Sequence, residues 1–482
     1  MFDIRPILLV AGLLLTTLGA AMFIPALVDV LADNDDWQTF LGSGLLTLFI
    51  GISMTLINWG QGDRLSLQQA FIMTIFSWVA LAAFAAMPLA FSQLNMSYTD
   101  AFFESMSGLT TTGSTVIVGL DSAPPGILLW RALLQWLGGV GIVVMAVAML
   151  PMLQIGGMQL FKVEAFDTPE KVLPSAARFA LSITLIYVFL TFVCAVCLRV
   201  AGMNWFESIA HAMTTIATGG FSTRDASIGG FDSALIEYIV VVFMLVGSLP
   251  FALYLQTVQG KRGALFQDVQ VRIFLIAVVF LIAVMTSYQL YAGINDGWDT
   301  LRYSAFNLVS VMTGTGYSSQ NYNAWGPFAV VALFWIMFIG GCAGSTSCGI
   351  KIFRFNVVWA AMASHVGRTL YPHGIFTPRY AGRPIDQAVI TSVMSFFFLF
   401  FASIFMLALA LSFTGLDFVT ALSSAATSIA NVGPGLGNLV GPAGTFHDLS
   451  EEAKWLMSAG MLLGRLELFT VLIIFTPGFW RM

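Results

Sequence analysis

Ten apolar runs, most of them long enough to cross a hydrocarbon layer, constrain this chain more than any motif does. They lie within Ile7–Leu31, Leu41–Ile57, Ala70–Phe91, Ile127–Leu153, Phe179–Val200, Leu235–Leu255, Ile273–Tyr291, Phe328–Ala363 (interrupted), Ala388–Phe413 and Ala453–Phe475. A spanning helix takes about 20 apolar residues, and only helices or closed barrels satisfy their backbone polar groups in lipid. Runs of this length predict an all-α membrane protein with about ten transmembrane helices. Charge content agrees, at 9% of residues against roughly 25% in a soluble domain. The first run shares only its position with a signal peptide. It is long, leads into Asp33-Asn34-Asp35-Asp36 and lacks a small-residue cleavage pattern, so it is expected to remain as a helix.

Counting the runs from the N-terminus places their connections alternately on two sides. One side receives Arg5, Arg64, Lys162, Lys171, Arg178, Lys261, Arg262, Arg272, Lys351, Arg354, Arg368, Arg379, Arg383 and Arg481. The other connections, nearby helix ends and one helix centre hold Arg131, Arg199, Arg224, Arg302, Lys454 and Arg465. The positive-inside rule makes the first side cytoplasmic, with both termini inside. The outer side carries many carboxylates, among them Asp29, Asp36, Asp100, Glu104, Glu207, Asp225, Glu237 and Asp417. An acidic mouth concentrates cations, whereas depletion of outward positive charge accounts only for the missing lysines. Cys194 and Cys197 form a CxxC inside an apolar run with no second ligand pair, which reads as helix packing.

The outer connections repeat one object four times. It is a short apolar stretch without proline, ending in Thr, Ser and Gly: Asp100–Gly113, Trp205–Gly220, Arg302–Gly316 and Asp417–Gly433. Each stretch is too short to span, and so reads as a re-entrant helix whose non-helical tail must line a cavity. Glycine permits positive φ and close backbone approach, which a row of carbonyls aimed at a narrow axis requires. Each unit has two spanning helices and therefore returns to the side on which it began. All four share one orientation around an axis along the membrane normal, unlike an inverted-repeat plan. The expected organisation is a two-helix extension over 1–62, then four helix–pore loop–helix repeats over 63–155, 156–262, 263–363 and 364–482, around one central pore. Thr and Gly also form ordinary helix-packing surfaces, but four equivalent occurrences favour the pore.

Thr-Thr-Thr-Gly113, Ala-Thr-Gly-Gly220-Phe-Ser-Thr, Thr-Gly-Thr-Gly316-Tyr-Ser and Asn-Val-Gly433-Pro-Gly resemble the four filter loops of the Trk/Ktr/HKT superfamily of potassium transporters. With its two extra N-terminal helices, the chain is similar over nearly its whole length to the bacterial TrkH/TrkG-type membrane subunits. That resemblance implies potassium uptake across the bacterial cytoplasmic (inner) membrane through a gated, channel-like pore. It also implies a homodimer set in membrane lipid and a cytosolic nucleotide-binding subunit of the TrkA type. K+ would be the transported ion, held at Thr111, Thr112, Gly113, Thr218, Gly219, Gly220, Gly314, Thr315, Gly316, Asn431, Val432 and Gly433. No covalently bound cofactor and no nucleic-acid partner are expected. No GxGxxG follows a strand-like segment, so nucleotide control would need the separate subunit, docking on inner connections 154–178, 259–272 and 351–387. In this superfamily a serine in place of the first-loop glycine goes with sodium permeation, so Gly113 points to potassium. The loops lack the longer Thr-Val-Gly-Tyr-Gly run of tetrameric channels, which implies looser selection.

Two internal anomalies remain. The eighth run breaks at Gly340, Gly341, Gly344, Ser345, Thr346, Ser347 and Gly349, directly below the proposed filter. A kinked packing helix and a flexible gate both fit, and the resemblance implies the gate. Arg465 sits in mid-span, where a charge costs about 2.5–3.5 kcal/mol and usually faces a cavity. Glu467, two residues on, is not on its helix face. A pore-facing arginine is favoured over an ion pair with another helix, and the family carries an arginine at the corresponding place. Proton- or sodium-coupled symport through the same pore also fits the sequence. An intramembrane hydrolase built on Ser345 would need a histidine opposite it, which His211, His365, His373 and His447 do not supply.

Gly113→Ser is expected to weaken discrimination against sodium, because a side chain there displaces the carbonyl geometry that replaces the hydration shell. The potassium/sodium permeability ratio of the variant measures this, and an unchanged ratio would remove Gly113 from the filter.

Overall fold

The computed structural model describes residues 3–60, 66–148 and 172–481. Arg64, Lys162, Lys171 and most of the connection 154–178 lie outside them. Among the described residues seven helices are long and apolar enough to cross a membrane, or nine when each of two bent pairs counts as one span. Sequence predicts ten. The difference lies in the eighth run, where the helix Pro327–Ile336 is too short to span by itself.

Most spans bury only 22% to 39% of their central stretch, which leaves broad apolar faces such as Phe49, Phe189, Phe280 and Phe398 turned outward. In water such surfaces would drive aggregation; against lipid tails they are neutral. Pro125–Val144 is the exception, with 72% of its stretch buried, and it forms an inner wall that packs against Phe23–Leu31, Tyr98–Leu109 and Trp205–Ile216.

The N-terminal hairpin joins Arg5–Ala21 to Trp37–Ile57 through Gly12 and Gly19 on one helix and Gly44 and Gly51 on the other. A Cβ on Gly51 would lie 2.6 Å from the Thr16 backbone nitrogen. Small residues of this kind let membrane helices approach to backbone contact. The hairpin is tied to the core by Asp29, whose carboxylate accepts the Gly126 N–H at 2.7 Å at the start of the inner helix, where the helix dipole favours negative charge.

Three apolar runs are broken. The sixth bends by 89° between Ala234–Gly247 and Phe251–Val258, where Pro250 ends the helix because it lacks an N–H and restricts its predecessor. The tenth bends by 109° between Glu451–Arg465 and Phe469–Phe475, with Glu467 in the left-handed region at φ +59°. The eighth leaves its helix at Met337 and re-enters one only at Ile352–Leu370. A small antiparallel hairpin pairs Arg379 with Pro384 and Tyr380 with Arg383, departing from the all-α expectation.

Gly51→Leu is expected to force the N-terminal hairpin apart, at a cost of about 1–3 kcal/mol for overpacking. A lowered thermal midpoint of the purified chain records this; an unchanged midpoint would mean that the hairpin is not packed through its glycines.

Candidate functional site: four converging loops

The short helices foreseen in the outer connections are Tyr98–Leu109, Trp205–Ile216, Gly297–Thr313 and Phe418–Ala430. Three have a side-chain N-cap: Ser97 accepts from Asp100 N–H, Asn204 from Glu207 N–H, and Asp417 from Val419 and Thr420 N–H. Hydrogen bonds from Thr420 and Val419 hold the exposed Asp417 carboxyl below its ordinary value. The N-caps fix where each helix begins, and its C-terminus points into the protein.

All four C-termini close in the same way. Thr112, Gly219, Thr315 and Val432 each donate a backbone N–H to the carbonyl five residues back, on Ser107, Thr214, Ser310 and Thr427, at 2.9 to 3.2 Å. The residue before each donor (Thr111, Thr218, Gly314, Asn431) is left-handed, with φ of +51°, +50°, +75° and +51°. This is the Schellman geometry that satisfies the last helical carbonyls, and three of the four positions bear a side chain in a conformation usually left to glycine. The residue after each donor is a glycine, again at positive φ: Gly113 +87°, Gly220 +78°, Gly316 +82° and Gly433 +106°. Between them the chain is not left-handed. Alternating φ sign turns successive peptide planes the same way, so polar groups that would point to opposite sides of a strand gather on one.

These glycines close a ring. A Cβ on Gly113 would press within 3.0 Å of the Gly219 carbonyl oxygen, one on Gly220 that of Thr315, one on Gly316 that of Val432, and one on Gly433 that of Thr112. Each loop therefore abuts the next, and the fourth abuts the first. All twelve residues expected in the filter lie in this ring. Side chains brace it: Gln135 donates to the Gly219 carbonyl at 2.6 Å and accepts the Phe221 N–H at 3.0 Å. Asn431 donates to Thr112 Oγ1 and to the Met461 carbonyl, each at 2.9 Å. Ser114 donates to the Gly433 carbonyl at 2.8 Å.

Small cavities adjoin the ring on both faces. On the N-cap side, all four loops contribute, through Gly113, Gly220, Gly316 and Pro434. On the opposite side, Asn431 meets Ser345, Ser347, Cys348, Lys351 and Arg465. Their volumes of about 80 Å³ and about 40 Å³ leave room for a few waters each, given roughly 10–15 Å³ per water centre.

The glycine-rich segment of the eighth run lies against the lower face. Ser347 donates to the Thr313 carbonyl at 2.7 Å, Thr346 Oγ1 accepts from Thr218 Oγ1 at 3.3 Å and donates to the Ile216 carbonyl at 2.9 Å, and Cys348 Sγ lies 3.6 Å from Thr111 Oγ1. Its backbone is paired with the neighbouring break: Cys342 N–H donates to Ser248 O and Thr346 N–H to Gly247 O, while Phe251 N–H donates to Gly344 O. Gly340 N–H bonds Ile350 O, closing the segment on itself, and Gly341 and Gly349 lie in that closed neck. Arg465 is 4% exposed. It donates to Cys348 Sγ at 2.8 Å, to Thr346 O at 3.3 Å and to Gly138 O at 3.4 Å. No carboxylate pairs with Arg465 among the described residues.

Charge placement corrects the sequence expectation in two places. Lys351 and Arg354 are not in a solvated inner connection. Lys351 donates to the Ser347 carbonyl, and fully buried Arg354 pairs with Glu467 at 2.6 Å and stacks on Phe396. Several outer carboxylates are also engaged rather than forming an open field. Glu104 meets Arg131 at 2.7 Å, Glu207 meets Arg224 at 2.9 Å, Glu237 meets Arg302 at 3.4 Å and Asp100 meets Lys454. Arg131 also donates to the Ser222 carbonyl and lies over Phe221, while Glu104 accepts the Val116 N–H, so this pair fastens the first loop to the second. A lone arginine in the apolar stretch 125–148 was the available signal that Arg131 needed a buried partner.

A polytopic helical membrane protein, with four loops closed into a ring at the ends of short helices, belongs among the transport proteins rather than the enzymes. The sequence matches the TrkH family, described as cation transport protein, over residues 39–481, and the chain belongs to that family. It is 42% identical to the Trk system potassium uptake protein TrkI of Halomonas elongata over 477 residues, which covers 99% of this chain and 97% of that one. It is 36% identical to the Trk system potassium uptake protein TrkH of Escherichia coli, covering 99% of both. The crystal structure of the potassium transporter TrkH from Vibrio parahaemolyticus superposes with a TM-score of 0.92 at 37% identity, covering all of both chains.

Glu104→Gln is expected to destabilise the protein by about 3–5 kcal/mol by leaving Arg131 buried and unpaired. The double change Glu104→Leu with Arg131→Met should recover much of the loss. Thermal midpoints of the three proteins decide this, and a Glu104→Gln protein as stable as the parent would mean the pair does not hold the loops.

Proposed function

We propose that the chain takes up potassium across the bacterial inner membrane, through a pore on the axis of the ring. The observation that carries this is the fourfold recurrence of one backbone geometry closed into a ring, with room for water on both faces. Carbonyls gathered to one side replace the hydration shell of a dehydrating cation, and four helix C-termini, each with about half a negative charge, favour cations over anions. The relatives named above are potassium uptake proteins by description. The twelve ring residues act as the filter, and segment 340–349 with Arg465 acts as the gate. The four units are parallel repeats around the axis, preceded by the two N-terminal helices. A homodimer and a TrkA-type nucleotide-binding subunit complete the assembly. That subunit docks on the inner connections, where Arg368, Arg379 and Arg383 are joined by exposed Tyr371 and Ile375.

In this reading Arg465 opposes passage in two ways. Its charge repels an ion leaving the ring; at an effective dielectric of about 20, unit charges 6 Å apart repel by roughly 3 kcal/mol. Its hydrogen bonds to Thr346 and Cys348 also pin the segment beneath the ring.

Purified chain in liposomes is expected to take up rubidium down its own gradient, without a proton or sodium gradient; uptake that requires either gradient would favour symport. Arg465→Ala should speed uptake about tenfold, equivalent to a barrier lower by 1.4 kcal/mol, with little loss of thermal stability. A destabilised variant without faster uptake would overturn the gate role of Arg465. Deleting Gly344–Ser347 should raise basal flux and leave the rubidium/sodium preference unchanged, and flat flux in a folded deletion variant would return that segment to a packing role.

A further inference from the structure

Away from the ring, a cavity of about 540 Å³ opens between the N-terminal hairpin and the first unit. Its walls come from Leu14 and Thr17 of the first helix, Trp78 and Leu81 of Leu67–Ala85, and Leu137 and Gly141 of the inner helix. Leu109, the last residue of the first short helix, forms part of its floor. Leu14, Thr17 and Gly141 at the rim are exposed. All three lie within membrane-spanning stretches, so the medium at the mouth is lipid.

The lining offers water almost nothing. Thr17, Thr74 and Thr184 each donate to the carbonyl four residues back, at 2.8 to 3.0 Å. This back-bonding consumes their donors and leaves largely methyl surface. Ser77 is the exception. It is 5% exposed and its Oγ has no partner, so one lone polar atom sits in an otherwise satisfied wall. An apolar cavity of about 150 Å³ stays dry and takes up apolar molecules, and a water needs two to four polar partners that this wall lacks.

We infer that one acyl chain of a membrane phospholipid occupies this cavity and backs the end of the first short helix. Gly138 packs on the Leu109 carbonyl at the cavity floor, and the Gly138 carbonyl accepts from Arg465. The chain therefore props the seam between the first loop and the helix behind it. Its occupant is a tail rather than a headgroup, because the cavity lies at mid-span and no charged residue lines it among the described residues.

The test uses the full chain in dioleoylphosphatidylcholine vesicles containing a small fraction of phosphatidylcholine with a mid-chain diazirine. After illumination, labelled residues are mapped by peptide mass spectrometry. Labelling is expected at Leu109 and Leu137 on the floor as well as at Phe76 and Val79, which face bulk lipid. A Cβ on Gly141 meets nothing within 4 Å, so Gly141→Leu should obstruct the mouth of the cavity, reduce floor labelling and leave Phe76 and Val79 labelled as before. Should Gly141→Leu not fold, Leu14→Trp closes the rim instead. Unlabelled floor residues in the parent protein would mean that another part of the chain, a second copy or nothing fills the cavity, and the inference fails. Undiminished floor labelling in a folded variant with an obstructed rim overturns it equally.

Discussion

Lipid cannot hydrogen-bond a broken helix, and that constraint organises this protein. Wherever the chain leaves helical geometry at membrane depth, the freed N–H and C=O groups must find protein partners, at several kcal/mol for each one left unmade. The four short helices solve this locally by wrapping their last carbonyls in Schellman turns. The broken sixth and eighth runs solve it jointly, since the carbonyls of Gly247 and Ser248 receive the N–H groups of Thr346 and Cys342. Irregular backbone is thereby collected into one place. The ring and the segment beneath it are neighbours because each helps to satisfy the other.

Charge follows the same rule. Glu104–Arg131, Glu237–Arg302 and Asp100–Lys454 join different parts of the bundle, and a buried pair of this kind contributes little net stability over an apolar packing of similar shape. Its value is positional. Arg131 reaches Glu104, Thr115 and the Ser222 carbonyl from one side chain, so two loops on separate helices are held in a single register. Arg354 and Glu467 act likewise across the break in the last span.

The loops were legible in the sequence because their geometry demands residue types that few other structures need. A glycine at positive φ against a carbonyl is costly to replace, and four such glycines at matching distances from a short apolar stretch leave little else to propose. The breaks were less legible. Pro250 marked one, but the turn at Glu467 depends on Arg354, more than a hundred residues earlier, and nothing local announces that partner. Charge counts misled for the same reason. Lys351 and Arg354 follow an apolar run, as solvated inner residues do, and only tertiary packing draws them beneath the ring.

Because the ring is closed by one chain, its four positions need not be alike. Thr111, Thr218, Gly314 and Asn431 occupy equivalent sites with three different residue types, and of these only Asn431 reaches across to the neighbouring loop. In an assembly of identical subunits, one codon change rewrites every quadrant simultaneously. Here each quadrant drifts separately, so the outline of the ring can be altered in small steps, with three quadrants keeping it closed while the fourth explores.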